Sequence, residues 1–176
     1  MWRERRRLLL QDVTHRGLEE LRLVLNPPTG VAEVINASLL LAGLLPRSVS
    51  DNLSLWGGKS ALSRRVLHKQ GCTLATQLAA VAPATLDPAV VHSIVAHRGE
   101  EWFAVEFMRM RSFVCGALIG WLLSVIEEFE FFVEWPEAKE ADDELRRLRS
   151  VEAELERRRA PGTARLILSK EGNNVY

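Results

Sequence analysis

Residues 102–133 read WFAVEFMRMRSFVCGALIGWLLSVIEEFEFFV and carry the longest helical pattern in the chain. Apolar side chains recur there at spacings of three and four, as they do along one face of an α-helix. The uncharged run from Ser112 to Ile126 is fifteen residues long, whereas a membrane-spanning helix needs about 20 apolar residues. The pattern therefore predicts a long helix in a domain core, and no membrane partner is expected.

Proline and glycine divide the rest of the chain into further helical blocks, and an alternating strand pattern is almost absent. Asp87 followed by Pro88 is typical of a helix start, with the aspartate as N-cap and proline in the first turn. The sequence predicts an all-α fold. The predicted helices cover 2–25, 28–45, 56–69, 73–81, 87–96, 102–133 and 137–159, with a loop at 47–52.

The first and last helical blocks are highly charged and meet the domain at prolines. In the last block Leu145, Leu148 and Leu155 form a heptad seam in which Glu152 occupies one core position. Two such arms leaving one domain are expected to pair antiparallel. We therefore predict a compact multi-helix domain at the tip of an antiparallel coiled-coil hairpin. Its segments are an ascending coil at 1–26, the domain at 27–136, a descending coil at 137–160 and an unassigned tail at 161–176.

The 176 residues include 23 basic and 23 acidic side chains, so the formal net charge is zero. Binding nucleic acid by bulk phosphate neutralisation usually requires a strongly basic domain, so no nucleic-acid partner is expected. Charge is nevertheless segregated: residues 1–75 carry a net charge of +5, residues 127–144 carry −8 and residues 145–176 carry +4. Electrostatic function must therefore be sought patch by patch.

The motifs that suggest catalysis or ligand binding have simpler structural explanations. The run 57–60, Gly-Gly-Lys-Ser, resembles the end of a phosphate-binding loop, but Leu53 stands where that motif needs glycine. His92 and His97 are five residues apart, which does not place two metal ligands on one helix face. Cys72 and Cys115 show neither metal nor disulfide spacing. We expect no cofactor, no metal and no enzymatic activity of the chain by itself.

The order of landmarks resembles the microtubule-binding domain at the stalk tip of dynein heavy chains. That family has a helix ending in Asn-Pro-Pro, an apolar helix, a tryptophan-led helix, several short helices and a long helix before a proline. The matching positions here are Asn26-Pro27-Pro28, 31–45, Trp56, 87–96, Val114-Cys115-Gly116 with Trp121, and Glu134-Trp135-Pro136. The match runs from about Asp12 to Leu155.

The resemblance implies a non-enzymatic module that binds microtubules through tubulin and is joined to the remainder of a dynein heavy chain with its ATPase ring. In the family, sliding of one coil helix against the other switches affinity for the track. Asn26, Pro27, Pro28 and Pro136 would then be the hinge between coil and domain. The implied location is the cytoplasmic cytoskeleton, with the cytoplasmic and axonemal classes both open.

Family resemblance places track contacts at the start of the 28–45 helix, at His97 and Arg98, and at Arg109 and Arg111. Where the family commonly has basic residues after Asn-Pro-Pro, this chain has Thr29 to Glu33, so weaker binding is expected. The alternative is an unrelated helical adaptor or scaffold that pairs with a partner coiled coil. The candidate microtubule-binding residues are Arg64, Arg65, Lys69, His97, Arg98, Arg109 and Arg111.

Overall fold

The computed structural model describes residues 2–57 and 61–159. Within these ranges the chain is all-helical and has no strand, as predicted. The first of two compact units ends at Glu134, and the second begins at Trp135. The helices are α1 (Trp2–Gln11), α2 (His15–Leu23), α3 (Val31–Leu41), α4 (Leu62–Gln70), α5 (Leu74–Ala79), α6 (Pro88–Val95), α7 (Val105–Arg111), α8 (Phe113–Glu134) and α9 (Pro136–Arg159).

The central helix of the first unit is α8. Its buried side chains, among them Trp121, Leu122 and Val125, lie in one continuous core. The prediction of one continuous helix over residues 102–133, and of another over residues 2–25, was wrong. The segment 102–133 contains a short 3-10 helix at Glu101–Phe103, then α7 and α8.

Ser112 explains the break between α7 and α8. Its backbone is extended, with φ −158° and ψ 125°, and its hydroxyl accepts a hydrogen bond from the Cys115 amide at 3.3 Å. Serine in this role is an N-cap, so it starts a new helix inside an otherwise helical pattern. Because the chain turns at Ser112, the Arg109 backbone lies against Gly116. A Cβ added at Gly116 would lie 2.9 Å from the Arg109 Cα.

Thr14 interrupts the first predicted helix in the same way, because its hydroxyl accepts from the Gly17 amide and caps α2. The sequence pattern suggests that Gly17 weakens the apolar stripe. In the fold, an added Cβ there would lie 2.4 Å from Val114 Cγ2. Glycine therefore allows α2 to approach the first turn of α8 closely.

The other helices are close to the predicted ones: α3, α5 and α6 are shorter, α4 begins later and ends one residue later, and α9 begins one residue earlier. The third helix ends at Leu41, because Gly43 with φ +69° closes it: the Gly43 and Leu44 amides donate to the Leu40 and Leu39 carbonyls. Asp87 caps α6 by accepting from the Ala89 amide at 2.9 Å, as predicted. The predicted loop at 47–52 contains a 3-10 helix, Arg47–Asp51. Positions 58–60 of the predicted 56–69 helix, and the tail at 161–176, lie outside the described residues.

A buried polar cluster centred on Asn36 joins α3 to the segment before α4. The Asn36 amide donates to the carbonyls of Leu53 at 2.6 Å and Leu55 at 2.8 Å, and its oxygen accepts from the Ser63 hydroxyl. Trp56 is buried but lies before α4, not on its inner face as predicted. Its indole donates to the Val24 carbonyl at 2.7 Å, which ties this segment to the end of α2.

Candidate functional site: the two ends of α8

At the C-terminal end of α8, α1 packs along the helix in the antiparallel direction. The rings of Trp2 and Phe131 lie 5.0 Å apart, and Leu9 lies beside Gly120, where an added Cβ would be 3.1 Å from a leucine methyl. The ends of α1 thus contact α8 at points eleven residues apart, which is about 16 Å of helix. This contact fixes which residues of α1 and α8 face each other.

Arg6 and Glu128 form a buried ion pair between these two helices, with side-chain exposures of only 6% and 4%. Beside it, Arg5 and Glu127 form a pair at 3.1 Å whose side chains are about half exposed. Two charges withdrawn from water are tolerated only when they meet each other. The buried pair therefore specifies one alignment of α1 on α8.

Sequence reasoning missed this pair, because Glu128 was counted only as one charge of the acidic segment 127–144. Position 128 nevertheless falls on the buried stripe of α8, three residues after Val125 and four before Phe132. An acid at such a position needs a cation from another helix. Its position on this apolar stripe could have identified Glu128 as a buried residue. Its partner, Arg6, could not be predicted from the sequence.

At the opposite end of α8 is an exposed basic and apolar surface, which we call the 109–113 patch: Arg109, Met110, Arg111 and Phe113. Met110 is 79% exposed and Phe113 is 58% exposed, although both were predicted to lie on the apolar stripe of one long helix. The Arg111 guanidinium carbon lies 3.4 Å from the centre of the Phe107 ring. Because the helix breaks at Ser112, these side chains lie at the surface instead of on the buried face of one helix.

His97 and Arg98 lie elsewhere and already have acidic partners. Arg98 pairs with Glu130 at 2.7 Å, and His97 Nδ1 lies 2.7 Å from a Glu100 carboxylate oxygen. Hydrogen bonds from His97 and Trp102 lower the pKa of Glu100 below its ordinary value. Glu130 lies about 21 Å along α8 from Gly116, where Arg109 packs. The structure does not bring Arg98 together with the 109–113 patch.

The three candidate basic residues of α4 differ in burial and in hydrogen bonding. Arg64 is half-buried, and its Nε donates to the Arg22 carbonyl at 2.9 Å near the end of α2. Arg65 and Lys69 are exposed. Gly71, just after α4, lies against the His15 ring at the start of α2. The end of α4 and the first turn of α8 therefore both contact the beginning of α2.

The candidate hinge residues lie at two helix boundaries. Asn26, Pro27 and Pro28 occupy the non-helical connection between α2 and α3, and the Pro28 carbonyl accepts from the Val31 amide at 3.1 Å. Pro136 is the first residue of α9, directly after the boundary between the two units. Helices therefore end where the sequence predicted, while the hinge function of these residues stays a prediction.

Nothing in the described part of the chain groups three histidine, cysteine or carboxylate side chains as a metal site would. Among the same residues, no helix combines the length and apolar character needed to cross a bilayer. Cys115 is buried in the core, and burial raises the pKa of its thiol to about 12, so the thiol is protonated at neutral pH. Cys72 is exposed.

No known protein-family profile matches this chain, and no curated protein is significantly similar to it in sequence.

Proposed function

We propose that this chain is a dynein-like stalk head that binds the microtubule lattice, with an affinity set by sliding of the helices that flank the domain. The observation that carries the proposal is the arrangement at the two ends of α8. The α1 helix lies along its C-terminal half, and the 109–113 patch lies at its first turn. One continuous 22-residue helix, about 33 Å long, joins the two.

The 109–113 patch supplies the track-binding surface in this proposal. Its two arginines suit an acidic surface such as that of tubulin, and Met110 and Phe113 add apolar contact area between and beside them. Stacking of Arg111 on Phe107, with a hydrogen bond from its Nη1 to the Phe107 carbonyl at 3.4 Å, holds its guanidinium in place at the exposed surface. Lys69 and Arg65, the other exposed basic candidates, lie on α4.

The contact between α1 and α8 supplies the part that slides. Displacing α1 by one turn would separate Arg6 from Glu128 and leave both charges buried, unless each found a new partner. Other charges of both signs lie nearby for this. The basic residues of α1 are Arg3, Arg5, Arg6 and Arg7, and the acidic residues near the end of α8 are Glu127, Glu128, Glu130 and Glu134. A second alignment would have to draw new pairs from these residues.

A helical adaptor that pairs with a partner coiled coil is the second candidate. The observation that favours it is the apolar seam of α9, where Leu145, Leu148 and Leu155 are each about half exposed. Such a seam is normally covered by another helix. Binding to a helical partner without any affinity for tubulin would support this candidate over the first.

Neutralising the patch by Arg109→Gln with Arg111→Gln is expected to weaken microtubule binding. Two exposed charge contacts are worth roughly 0.4–2 kcal/mol together, which corresponds to a rise in Kd of about 2- to 30-fold. Co-sedimentation with stabilised microtubules over a range of salt concentrations measures the effect. Binding by the unchanged chain should weaken as salt rises, and the variant should show a shallower salt dependence.

The matched control is Arg147→Gln with Arg157→Gln, which removes the same charge from two exposed sites of α9 in the second unit. Its Kd should stay within about twofold of the unchanged chain. Equal losses in the two double variants would show that only net charge matters. The proposal would be overturned if neither the unchanged chain nor either of the two cross-linked forms described in the next paragraph co-sedimented with microtubules at low salt.

Two cross-linked forms test the sliding component. In a Cys72→Ser background, Arg5→Cys with Glu127→Cys joined by a short bis-maleimide should hold the observed alignment, because the native side chains meet there. Arg5→Cys with Leu123→Cys should hold α1 one turn away. Microtubule Kd values measured by co-sedimentation are expected to differ between the two forms by about tenfold, or 1.4 kcal/mol of coupling. Equal Kd values would remove sliding from the proposal and leave binding itself intact.

A further inference from the structure

The second unit contains an apolar seam that the proposed function does not use. Along α9 the side chains of Leu145, Leu148, Val151 and Leu155 are 44–57% exposed. Leu145 and Glu152 occupy one heptad position, and Leu148 and Leu155 occupy the other. The ten residues of α1 bury their inner face, including Leu10, against the first unit.

The charges of α9 are divided between its two halves. Residues 137–144 carry five acidic side chains and one lysine, a net charge of −4. Residues 145–159 carry six arginines and three glutamates, a net charge of +3. Two identical helices with this distribution attract each other when they run antiparallel and repel at both ends when they run parallel.

We propose that α9 pairs antiparallel with α9 of a second copy of this chain. With the two-fold axis at residue 150, Leu145 lies opposite Leu155 of the second copy, and Leu148 lies opposite its Glu152. Of the four layers, two then pair Leu145 with Leu155, and the other two pair Leu148 with Glu152. The same alignment places Asp142 opposite Arg158 and Asp143 opposite Arg157 of the second copy, and the interface is self-complementary, as two-fold symmetry requires.

Glu152 also has a place in this arrangement. Beside Leu148 of the second copy lies its Arg149, close enough in register for an ion pair with the Glu152 carboxylate. In a parallel pair Glu152 would instead face Glu152, and the two acidic halves would lie side by side. The ion pairs within one helix, such as Arg146 with Asp142 at 2.8 Å, stabilise the monomeric helix and are compatible with pairing.

Few apolar layers are available, so the dimer should be weak and dependent on concentration. Sedimentation equilibrium of the full chain from micromolar to millimolar concentration should show a monomer–dimer equilibrium. Replacing the seam by Leu145→Ser with Leu148→Ser should raise the dimer Kd by about tenfold or more. Arg16→Gln with Arg98→Gln, which alters the first unit, should leave it unchanged.

Two charge-reversed variants test the antiparallel direction. Asp142→Lys with Asp143→Lys reverses part of the acidic half, and Arg157→Glu with Arg158→Glu reverses the residues opposite them in the basic half. Each variant alone should be monomeric, and an equimolar mixture should dimerise again. Circular dichroism of each variant establishes that α9 stays helical.

A chain that is monomeric at all concentrations would overturn the proposal. A dimer unaffected by the seam variant, or a mixture that does not recover, would overturn it as well. The outcome is independent of microtubule binding by the first unit.

Discussion

Replacing Glu128 by leucine should lower the free energy of unfolding by about 3–5 kcal/mol. The substitution leaves the Arg6 guanidinium buried beside α8 without its carboxylate partner. Arginine keeps its charge at any pH at which the protein folds, so the helix contact must open or admit water to accommodate it. Denaturant unfolding followed by tryptophan fluorescence measures the loss, since Trp102 and Trp121 are buried in the first unit.

Arg6→Met should cost less than Glu128→Leu. The remaining carboxyl group can take up a proton and become neutral, which the guanidinium cannot do. The double variant Arg6→Met with Glu128→Leu replaces both charges by apolar side chains of similar size. Its stability should return to that of the unchanged chain or exceed it, because paired buried charges contribute little net stability against a well-packed apolar pair.

The neighbouring pair Arg5 with Glu127 is the control, since it joins the same two helices one residue away and is about half exposed. Arg5→Leu with Glu127→Leu should change the free energy of unfolding by no more than about 1 kcal/mol. If Glu128→Leu were equally harmless, water would be reaching Arg6, and the pair could not specify the alignment of α1 on α8.

The sequence predicted helices well where apolar spacing was long and bounded by proline or glycine. The helices around Leu39 and Ile94 lie within the predicted ranges, and those around Trp121 and Leu148 each extend one residue beyond them at one end. Prediction failed at Thr14 and Ser112, where a hydroxyl caps a new helix inside a continuous apolar pattern. Periodicity does not detect such a break, because the apolar spacing on both sides still fits one helix.

For the candidate microtubule-binding residues the structure shows exposure and partners, and their role in binding stays a prediction. Arg109 and Arg111 are exposed, as binding residues must be. Arg64 and Arg98 are engaged with the Arg22 carbonyl and with Glu130, partners 42 and 32 residues away in sequence. Such partners are set by packing between helices, so single-sequence reasoning could not distinguish these arginines from free ones.

Gly30→Ala is expected to be the second most damaging substitution, with a cost of about 2–5 kcal/mol. Gly30 directly follows the Asn-Pro-Pro connection and has φ +90°, a conformation that costs an alanine about 1–2 kcal/mol. An added Cβ would lie 2.5 Å from the Trp102 Cβ and 2.8 Å from the Met108 sulfur. Relieving these contacts should cost about 1–3 kcal/mol more, as overpacked cores do.

Gly43→Ala separates the two contributions. Gly43 also has a positive φ, of +69°, but an added Cβ there would meet nothing within 4 Å. Its substitution should therefore cost only the backbone term of about 1–2 kcal/mol. Denaturant unfolding of both variants gives the difference. If the two costs were equal, the connection before α3 would be shown to yield to added volume, and a movement there would not be transmitted to Trp102 and α7. A larger cost for Gly30→Ala would show that the connection is tightly packed against Trp102 and Met108.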